Sequence, residues 1–461
     1  MSGIQYAGEY VLKEATLITS AGVTFDLKGL ILSFNIYENI FSTSLSGSFS
    51  FVDTDNIITN GPIVGQEYLY LKVGTPGLDE LDFDFTNVPF VTYKVNVRED
   101  ANKNTQLIQV SFTSPEIIKN TRVRVSKSYT ESIDQIVTNI LRDERYVNTL
   151  KPLHIEPTAG IRKVISPNLH PYNFITNLAT EAVSAKDGNP FFLFYESTRG
   201  INFRSIESLF AEETRGDYSL GDFGNNKGKQ PDVEKELGRI VSFQIAANND
   251  MLSNIVSGML GSSIIEYNIY DKSFNKSTYN YIEDFGKFPR INYSDDFYDN
   301  PVYSESFIDD KSNTIGSFTD ARIHLHSVSS GANFDTHHTN PTSAYEYAPN
   351  QIKNSLLHRQ AKFNEMTDGV TIKMEINGST NISVGQTINV TIPVTGTEHD
   401  GKYDKYYTGK YLITKLRHNF DVPLKRHEIT LSASKDSFSQ SIPIGNNIPE
   451  GKSDLTNIIK Y

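Results

Sequence analysis

Residues 30–73 read LILSFNIYENIFSTSLSGSFSFVDTDNIITNGPIVGQEYLYLKV. Leu32, Phe34 and Ile36 alternate with Ser33, Asn35 and Tyr37. Phe49 and Phe51 alternate with Ser48 and Ser50, and Leu69, Leu71 and Val73 alternate with Tyr68, Tyr70 and Lys72. Successive side chains of a strand point to opposite faces, so each apolar set lines one buried face. Asp53, Asp55, Asn56, Asn60, Gly61 and Pro62 interrupt the runs where turns are needed. The pattern predicts strands of one small antiparallel barrel.

Upstream, residues 10–18 and 23–27 form two further strand candidates around Ser20-Ala21-Gly22. Downstream, residues 90–97 (FVTYKVNV) and 106–112 (QLIQVSF) flank a polar turn at 98–105. Strand signals at this density with almost no helical periodicity predict a β-barrel domain over 1–114. The character changes at Ser114-Pro115. Ser128-Tyr129-Thr130-Glu131 has the form of a capping box. Ile133, Ile136, Val137, Ile140 and Leu141 follow at helical spacing, predicting an amphipathic helix over 130–143. A second helix over 171–185 starts at Pro171, with Phe174, Ile175, Leu178, Ala179 and Ala182 as its apolar stripe. Residues 191–195 and 201–206 read as a hairpin. Together these give a smaller α+β domain over 115–235, continuing through about 247–350.

Residues 216–237 read as an exposed loop, 239–246 (RIVSFQIA) as a strand, and 250–260 as a short helix with Leu252, Ile255 and Met259 on one face. Residues 264–270 and 277–282 read as a hairpin. Residues 283–350 are rich in Tyr, Asp, Asn and His with little periodicity, and 350–364 read as a helix anchored by Ile352, Leu356, Leu357 and Phe363. The opening alternation then returns at 370–376 (VTIKMEI), 387–392 (TINVTI), 411–416 (YLITKL) and 428–433 (EITLSA). Gly65-Gln66-Glu67-Tyr68-Leu69 is echoed by Gly385-Gln386-Thr387-Ile388-Asn389, and residues 109–114 (QVSFTS) by 428–433. Residues 236–246 and 351–436 are therefore assigned to a second barrel, and 437–461 to a C-terminal extension that orders on a partner or stays flexible. The fold class is mainly β: two tube-like antiparallel β-barrel domains plus a smaller inserted α+β domain.

The 461 residues carry 43 Lys and Arg against 55 Asp and Glu, a net charge of −12. This balance disfavours tight binding to a polyphosphate, which draws on Lys and Arg. The absence of Cys excludes disulfides, thiolate zinc sites and cysteine nucleophiles, and fits assembly in a reducing cytoplasm. The opening MSGIQYAGEYVLKEATL lacks the basic and apolar regions of a signal peptide, and no apolar run reaches membrane-helix length.

Four constellations invite a chemical reading. Residues 221–230 (GDFGNNKGKQ) suggest a phosphate loop, but three residues separate Gly224 from Gly228 where the motif needs four. Gln230 also replaces the hydroxyl residue that meets magnesium. His324 and His326 would share a strand face near Asp320, with His337, His338 and Asp335 close in sequence, yet the spacing matches no metal motif. Asp295, Asp296 and Asp299 are a carboxylate run in a loop-like stretch, more simply solvated than catalytic. Arg122, Arg124 and Lys127 read as intersubunit ion pairs or a solvated face rather than a nucleic-acid site. No catalytic, cofactor-binding or metal residue is assigned.

The order of several stretches resembles the central hub protein of contractile-tail phage baseplates, whose fold is shared by the N-terminal part of VgrG spikes. They are Ile36-x-Glu38-x-Ile40-Phe41 with Gly47-Ser48-Phe49-x-Phe51-x-Asp53 and Gly61-Pro62-Ile63-x-Gly65-Gln66-Glu67. They continue with Ser111-Phe112-Thr113-Ser114-Pro115-Glu116, Pro171-Tyr172-Asn173-Phe174-Ile175-x-x-Leu178-Ala179 and Gly258-Met259-x-x-Ser262-x-x-Ile265-x-Tyr267. The resemblance spans most of 30–435. It implies a non-enzymatic homotrimer whose six barrels form a ring joining the tail tube to a central spike. It further implies tail-tube or tube-initiator proteins, a separate spike and surrounding baseplate wedge proteins as partners, with DNA met only in passage through the lumen; the acidic net charge suits such a channel, since a negative wall offers phosphates no foothold. No needle or lysozyme module follows residue 435, which points away from a fused spike. The alternatives are a hub of a phage-derived device (tailocin or type VI-like), or a carbohydrate-acting tail protein resting on the Tyr-rich stretch 267–303.

Overall fold

In the computed structural model, residues 4–54, 57, 61–102, 105–220, 233–247, 250–268, 272, 274–292, 300–303, 313–328, 352–394 and 403–442 are described. The first eight strands are β1 (Val11–Ile18), β2 (Thr24–Asp26), β3 (Ile31–Asn39), β4 (Ser46–Asp53), β5 (Tyr68–Gly74), β6 (Phe83–Asp84), β7 (Phe90–Asn102) and β8 (Thr105–Thr113). They pair antiparallel in the order β3-β4-β8-β7-β5-β1, with β2 on β1 and β6 on β5. The alternating residues Phe34, Ile36, Phe49, Phe51, Leu69, Leu71 and Val73 meet Phe90, Ile108, Val110 and Phe112 in one core. Leu32 departs from the expected alternation. A bulge between Ile31 and Ser33 gives the inward place to Ile31, because an extra residue shifts the pleat phase. The turn expected at 98–105 is also shorter than expected. The β7–β8 ladder runs on to Asn102 opposite Thr105, since β7 absorbs three register irregularities.

The expected helix–helix–hairpin segment follows. It contains helix Pro115–Arg122, β9 (Ser128–Glu131), helix Ile133–Arg142, β10 (Leu153–Ile155), β11 (Arg162–Ile165), helix Pro171–Glu181, β12 (Phe192–Ser197), β13 (Gly200–Ser205) and helix Ile206–Phe210. Ile133, Ile136, Val137, Ile140, Phe174, Ile175 and Leu178 pack with Phe192, Phe194 and Phe203 in a separate core. The capping-box reading of 128–131 fails. Those residues form β9, paired with β11 from Ser128–Ile165 to Glu131–Arg162, and Ser132 precedes the helix instead. A ladder with a distant strand outweighs a short local capping pattern. The second helix stops at Glu181, short of residue 185.

The remaining strands are β14 (Thr214–Ser219), β15 (Ile240–Ala247), β16 (Gly261–Asn268), β17 (Phe274–Asn280), β18 (Ile323–Val328), β19 (Val370–Asn377), β20 (Thr387–Thr391), β21 (Gly409–Asp421) and β22 (Arg426–Lys435). β16, β17 and β18 form their own small sheet, with β18 parallel to β16. Beside it, helix Met251–Val256 is capped by the Asp250 carboxylate, which accepts from the Ser253 N–H at 3.1 Å. Leu252, expected on the buried face, is 71% exposed; the helix is too short to hold Met259, which is buried beyond its end. Helix Ile352–Asp368 buries Leu357 as expected, and also Lys362 and Glu365. Lys362 bonds Asp436, and Glu365 pairs with Arg290 at 2.5 Å.

β15, β19, β22, β21, β20 and β14 pair in that order around a second core that includes Ile372, Met374, Ile388, Val390, Leu431 and Ala433. β14 runs parallel to β20, so this ladder is not wholly antiparallel. A bridge between Ser219 and Arg239 returns β14 to the start of β15 and closes the circuit. On the side of the first circuit, a bridge joins Glu9, just ahead of β1, to Arg426 at the start of β22, a strand of the second circuit.

The two circuits repeat one plan. The order β3-β4-β8-β7-β5-β1 corresponds to β15-β19-β22-β21-β20-β14, and the first five members of each follow the same chain order. Ile31-Leu32-Ser33-Phe34-Asn35-Ile36 on β3 matches Ile240-Val241-Ser242-Phe243-Gln244-Ile245 on β15. Both carry a bulge at the same step, between Ile31 and Ser33 and between Ile240 and Ser242. Matching the β7–β8 and β21–β22 hairpins at their tips sets Thr113 against Ser434. The sequence echo matched Thr113 with Ser432, one pleat repeat out of step, because alternating strands align in more than one register. Gly47 opposes Phe112 where Ile372 opposes Ala433, so bulk is exchanged across the ladder.

Candidate assembly interface

The chemical constellations do not assemble a site among the described residues. His324 and His326 lie on β18, half-buried on one face, while Asp320 pairs with Lys276 at 2.9 Å. Among the described residues no group of three or more His, Asp or Glu is placed to hold a metal ion. Residues 221–230, Asp295, Asp296, Asp299, Asp335, His337 and His338 lie outside the described residues. Arg122, Arg124 and Lys127 are exposed; Arg124 Nη1 donates to the Asn168 carbonyl at 2.9 Å and Lys127 sits over the Tyr129 ring.

What the fold builds instead is a junction between its two circuits. The outer half of β21 pairs antiparallel with β3, from Lys415 opposite Asn39 to Asp421 opposite Ser33. Phe420 stacks on Phe34 with ring centroids 4.4 Å apart and an interplanar angle of 12°. Arg417 Nε donates to Asn35 Oδ1 at 2.9 Å.

Glu38, wholly buried, sits at the centre of this junction. Its carboxylate accepts from His418 Nε2 at 3.0 Å, Ser383 Oγ at 2.7 Å and Thr198 N–H at 3.1 Å. It thus ties β3 to β21, to the turn before β20 and to the β12–β13 turn. Burial pushes the Glu38 carboxyl up, but the hydrogen bond and charge of His418, with Ser383 and Thr198, outweigh it and hold the group below its ordinary value. Behind His418, its Nδ1 lies 3.0 Å from His427 Nε2. Burial, then the neighbouring His418, drives the His427 imidazole well below its usual range, so it is neutral at pH 7. With His418 Nε2 held by Glu38 and its Nδ1 facing His427 Nε2, the ring nitrogen of this cluster left without a partner is Nδ1 of His427. Gly378 is required here, since a Cβ would stand 2.1 Å from the His427 ring.

The counterparts of these two strands are open. β7, the counterpart of β21, meets β5 only at Phe90 and Val91; beyond Thr92 its one described ladder partner is β8. Tyr93 on this length is 53% exposed. β15, the counterpart of β3, has β19 as its one described ladder partner, and its Val241 and Ile245 are 52% and 38% exposed. Ile36, the equivalent of Ile245, is fully buried. The feature absent from the sequence reading was this pair of edges. The signal for it was the match of residues 31–36 with 240–245.

Two β circuits sharing one sheet, with α+β insertions, make up a fold of the kind found in phage tail proteins. Solved structures with this architecture include the tail protein from Neisseria meningitidis MC58, with a TM-score of 0.51 at 8% identity, covering 93% of this chain and 97% of that one. The prophage MuSo2 43 kDa tail protein from Shewanella oneidensis aligns at a TM-score of 0.49 and 10% identity, over 92% and 99% of the chains. The E. coli c3393 protein is a type VI secretion component described as similar to the T4 tail proteins gp27 and gp5. It aligns at 0.42 and 13% identity, over 95% and 79%. No protein-family model and no curated protein sequence matches the chain.

Proposed function

We propose that this protein is a structural subunit of a contractile-tail baseplate, a hub whose copies form a homotrimeric ring of six similar barrels. The observation that carries this is the repeated pairing order of β3-β4-β8-β7-β5-β1 and β15-β19-β22-β21-β20-β14 within one chain. A chain with two equivalent barrels turns a threefold assembly into a near-sixfold wall, suited to sixfold tube rings on one side and a threefold spike on the other. The fold shared with the Neisseria tail protein supports a tail role. On this reading the first circuit, the α+β insertion, the second circuit and the C-terminal extension are four parts of one non-enzymatic scaffold in the virion tail. Its partners are the spike, tube and wedge proteins, and its lumen passes DNA without binding it, the net charge of −12 offering phosphates little foothold. A hub of a phage-derived device shares the same geometry.

The test is the mass of the purified chain by light scattering across concentration, with and without a spike protein, and imaging of the particle. A trimeric ring with a central opening is expected. A chain that stays monomeric throughout contradicts the proposal.

A further inference from the structure

The chain contains one completed junction and the two halves of another. In the completed one, β3 of the first circuit lies along the outer half of β21 of the second. The open halves are β7 of the first circuit and β15 of the second. They are the counterparts of β21 and β3 by pairing order, by the shared bulge on β3 and β15, and by a second shared irregularity. That irregularity falls between Thr92 and Lys94 on β7 and between Ile413 and Lys415 on β21.

β15 also lacks the usual protection of an edge. Exposed edge strands are normally blunted by charge, proline or brevity. β15 reads IVSFQIAA, eight residues with no charged side chain and no Pro, and its outer backbone groups face no described strand beyond the bridge at Arg239. An uncharged edge with exposed Val241 and Ile245 is a strand that lacks its partner. The partner of the right shape is on the same chain, but in the strand order β19, β22, β21, β3, β4 and β8 stand between β15 and β7.

Resting on the ring reading above, we propose that β15 of one copy pairs antiparallel with the outer edge of β7 of a second copy, reproducing the β3–β21 junction between chains. Because β7 and β15 are different surfaces, each copy offers one of each. Such head-to-tail contacts propagate until the ring closes. The register follows from the equivalences. Asn35 opposes Asn419 in the internal junction; Gln244 replaces Asn35, and Glu99 replaces Asn419 through their common hairpin partners Leu107 and Glu428. Gln244 therefore faces Glu99 of the second copy, Ile245 faces Arg98, and Phe243 faces Asp100. No like charges oppose one another in this register. Asp100 stands where Phe420 stacks on Phe34, so the joint between chains keeps the backbone ladder without the aromatic stack.

The natural absence of Cys makes the test clean. Gln244→Cys combined with Glu99→Cys places two thiols on directly opposed residues, whose Cα atoms lie about 4.5–5.5 Å apart in an antiparallel ladder, inside the roughly 4.4–6.8 Å that a disulfide spans. Mild oxidation is expected to give covalent multimers on a non-reducing gel, collapsing to monomer on reduction. Each single variant, and Gln244→Cys with Leu150→Cys (Leu150 is exposed outside the large sheet), is expected to stay monomeric on the same gel. In parallel, amides 241–247 of the unmodified chain are expected to exchange slowly in the assembled form and quickly when diluted to monomer. A trimer by light scattering with no cross-link at 99–244 and no added protection at 241–247 overturns the pairing and leaves the ring reading standing. A monomer at every concentration overturns both.

Discussion

Glu38 offers the sharpest handle on the junction. Its carboxylate is the acceptor for His418 Nε2, Ser383 Oγ, Thr198 N–H and Thr198 Oγ1, all inside 3.2 Å and out of contact with solvent. Glu38→Ala removes that acceptor and leaves donors from three segments unmatched in a dry site. An orphaned buried donor costs about 1–3 kcal/mol, and breaking a buried ion pair by deleting one partner costs about 3–5 kcal/mol. These overlap, because His418 belongs to both, so the expected loss is about 4 kcal/mol. Glu38→Gln keeps one oxygen acceptor and is expected to lose about half as much. A chain with several cores need not unfold in one step, so the readout is local. Hydrogen exchange at the amides of residues 415–421 reports opening of the β21–β3 ladder directly. Their opening free energy is expected to drop by about 4 kcal/mol in Glu38→Ala, while the amides of helix Ile133–Arg142, in a separate core, stay as they were. A fall of less than about 1 kcal/mol at 415–421, or an equal fall at 133–142, would refute the role of Glu38 as a local tie.

Three further outcomes are expected. Gly47→Ala places a Cβ 2.2 Å from the Phe112 ring and 2.4 Å from the Asn35 carbonyl oxygen; because one obstacle is backbone, a loss of about 3 kcal/mol in urea denaturation is expected, with little rescue by Phe112→Leu. Below pH 6.5 an unfolded His427 takes up a proton that the folded chain refuses, so stability falls as pH drops. The stability of the wild type relative to His427→Gln is expected to decline by about 1.4 kcal/mol per pH unit from 6.5 downward, and a flat difference between pH 6.5 and 5 contradicts it. In a double-mutant cycle, Phe34→Leu and Phe420→Leu are expected to couple by about 0.5–1.5 kcal/mol, the strength of a stacked aromatic pair, and simple additivity speaks against the stack.

The strands of the first circuit were legible because alternation is a property of neighbours in sequence. Phe49, Phe51, Leu69, Leu71 and Val73 needed no knowledge of their partners to be placed on a buried face. The helices at 133–142 and 171–181 were visible for the same reason. The candidate interface was half legible. The match of ILSFNI at 31–36 with IVSFQI at 240–245 marks the recurring strand more strongly than the echoes at 385–389 and 428–433.

What the sequence alone determined was the inventory: a β-rich chain, a recurring strand pattern, and an α+β interruption between the two copies of it. Only the tertiary structure decided which edges were used. Glu38 meets His418 across 380 positions, β14 finds a parallel partner in β20, and Ser128–Glu131 becomes a strand because Arg162–Ile165 lies beside it. Pairing and register are contacts between segments far apart in the chain. Alternation with a period of two constrains which face a residue presents and leaves open which neighbour it meets. For that reason β3 and β15, nearly the same six residues, end as a buried joint in one place and an exposed edge in the other.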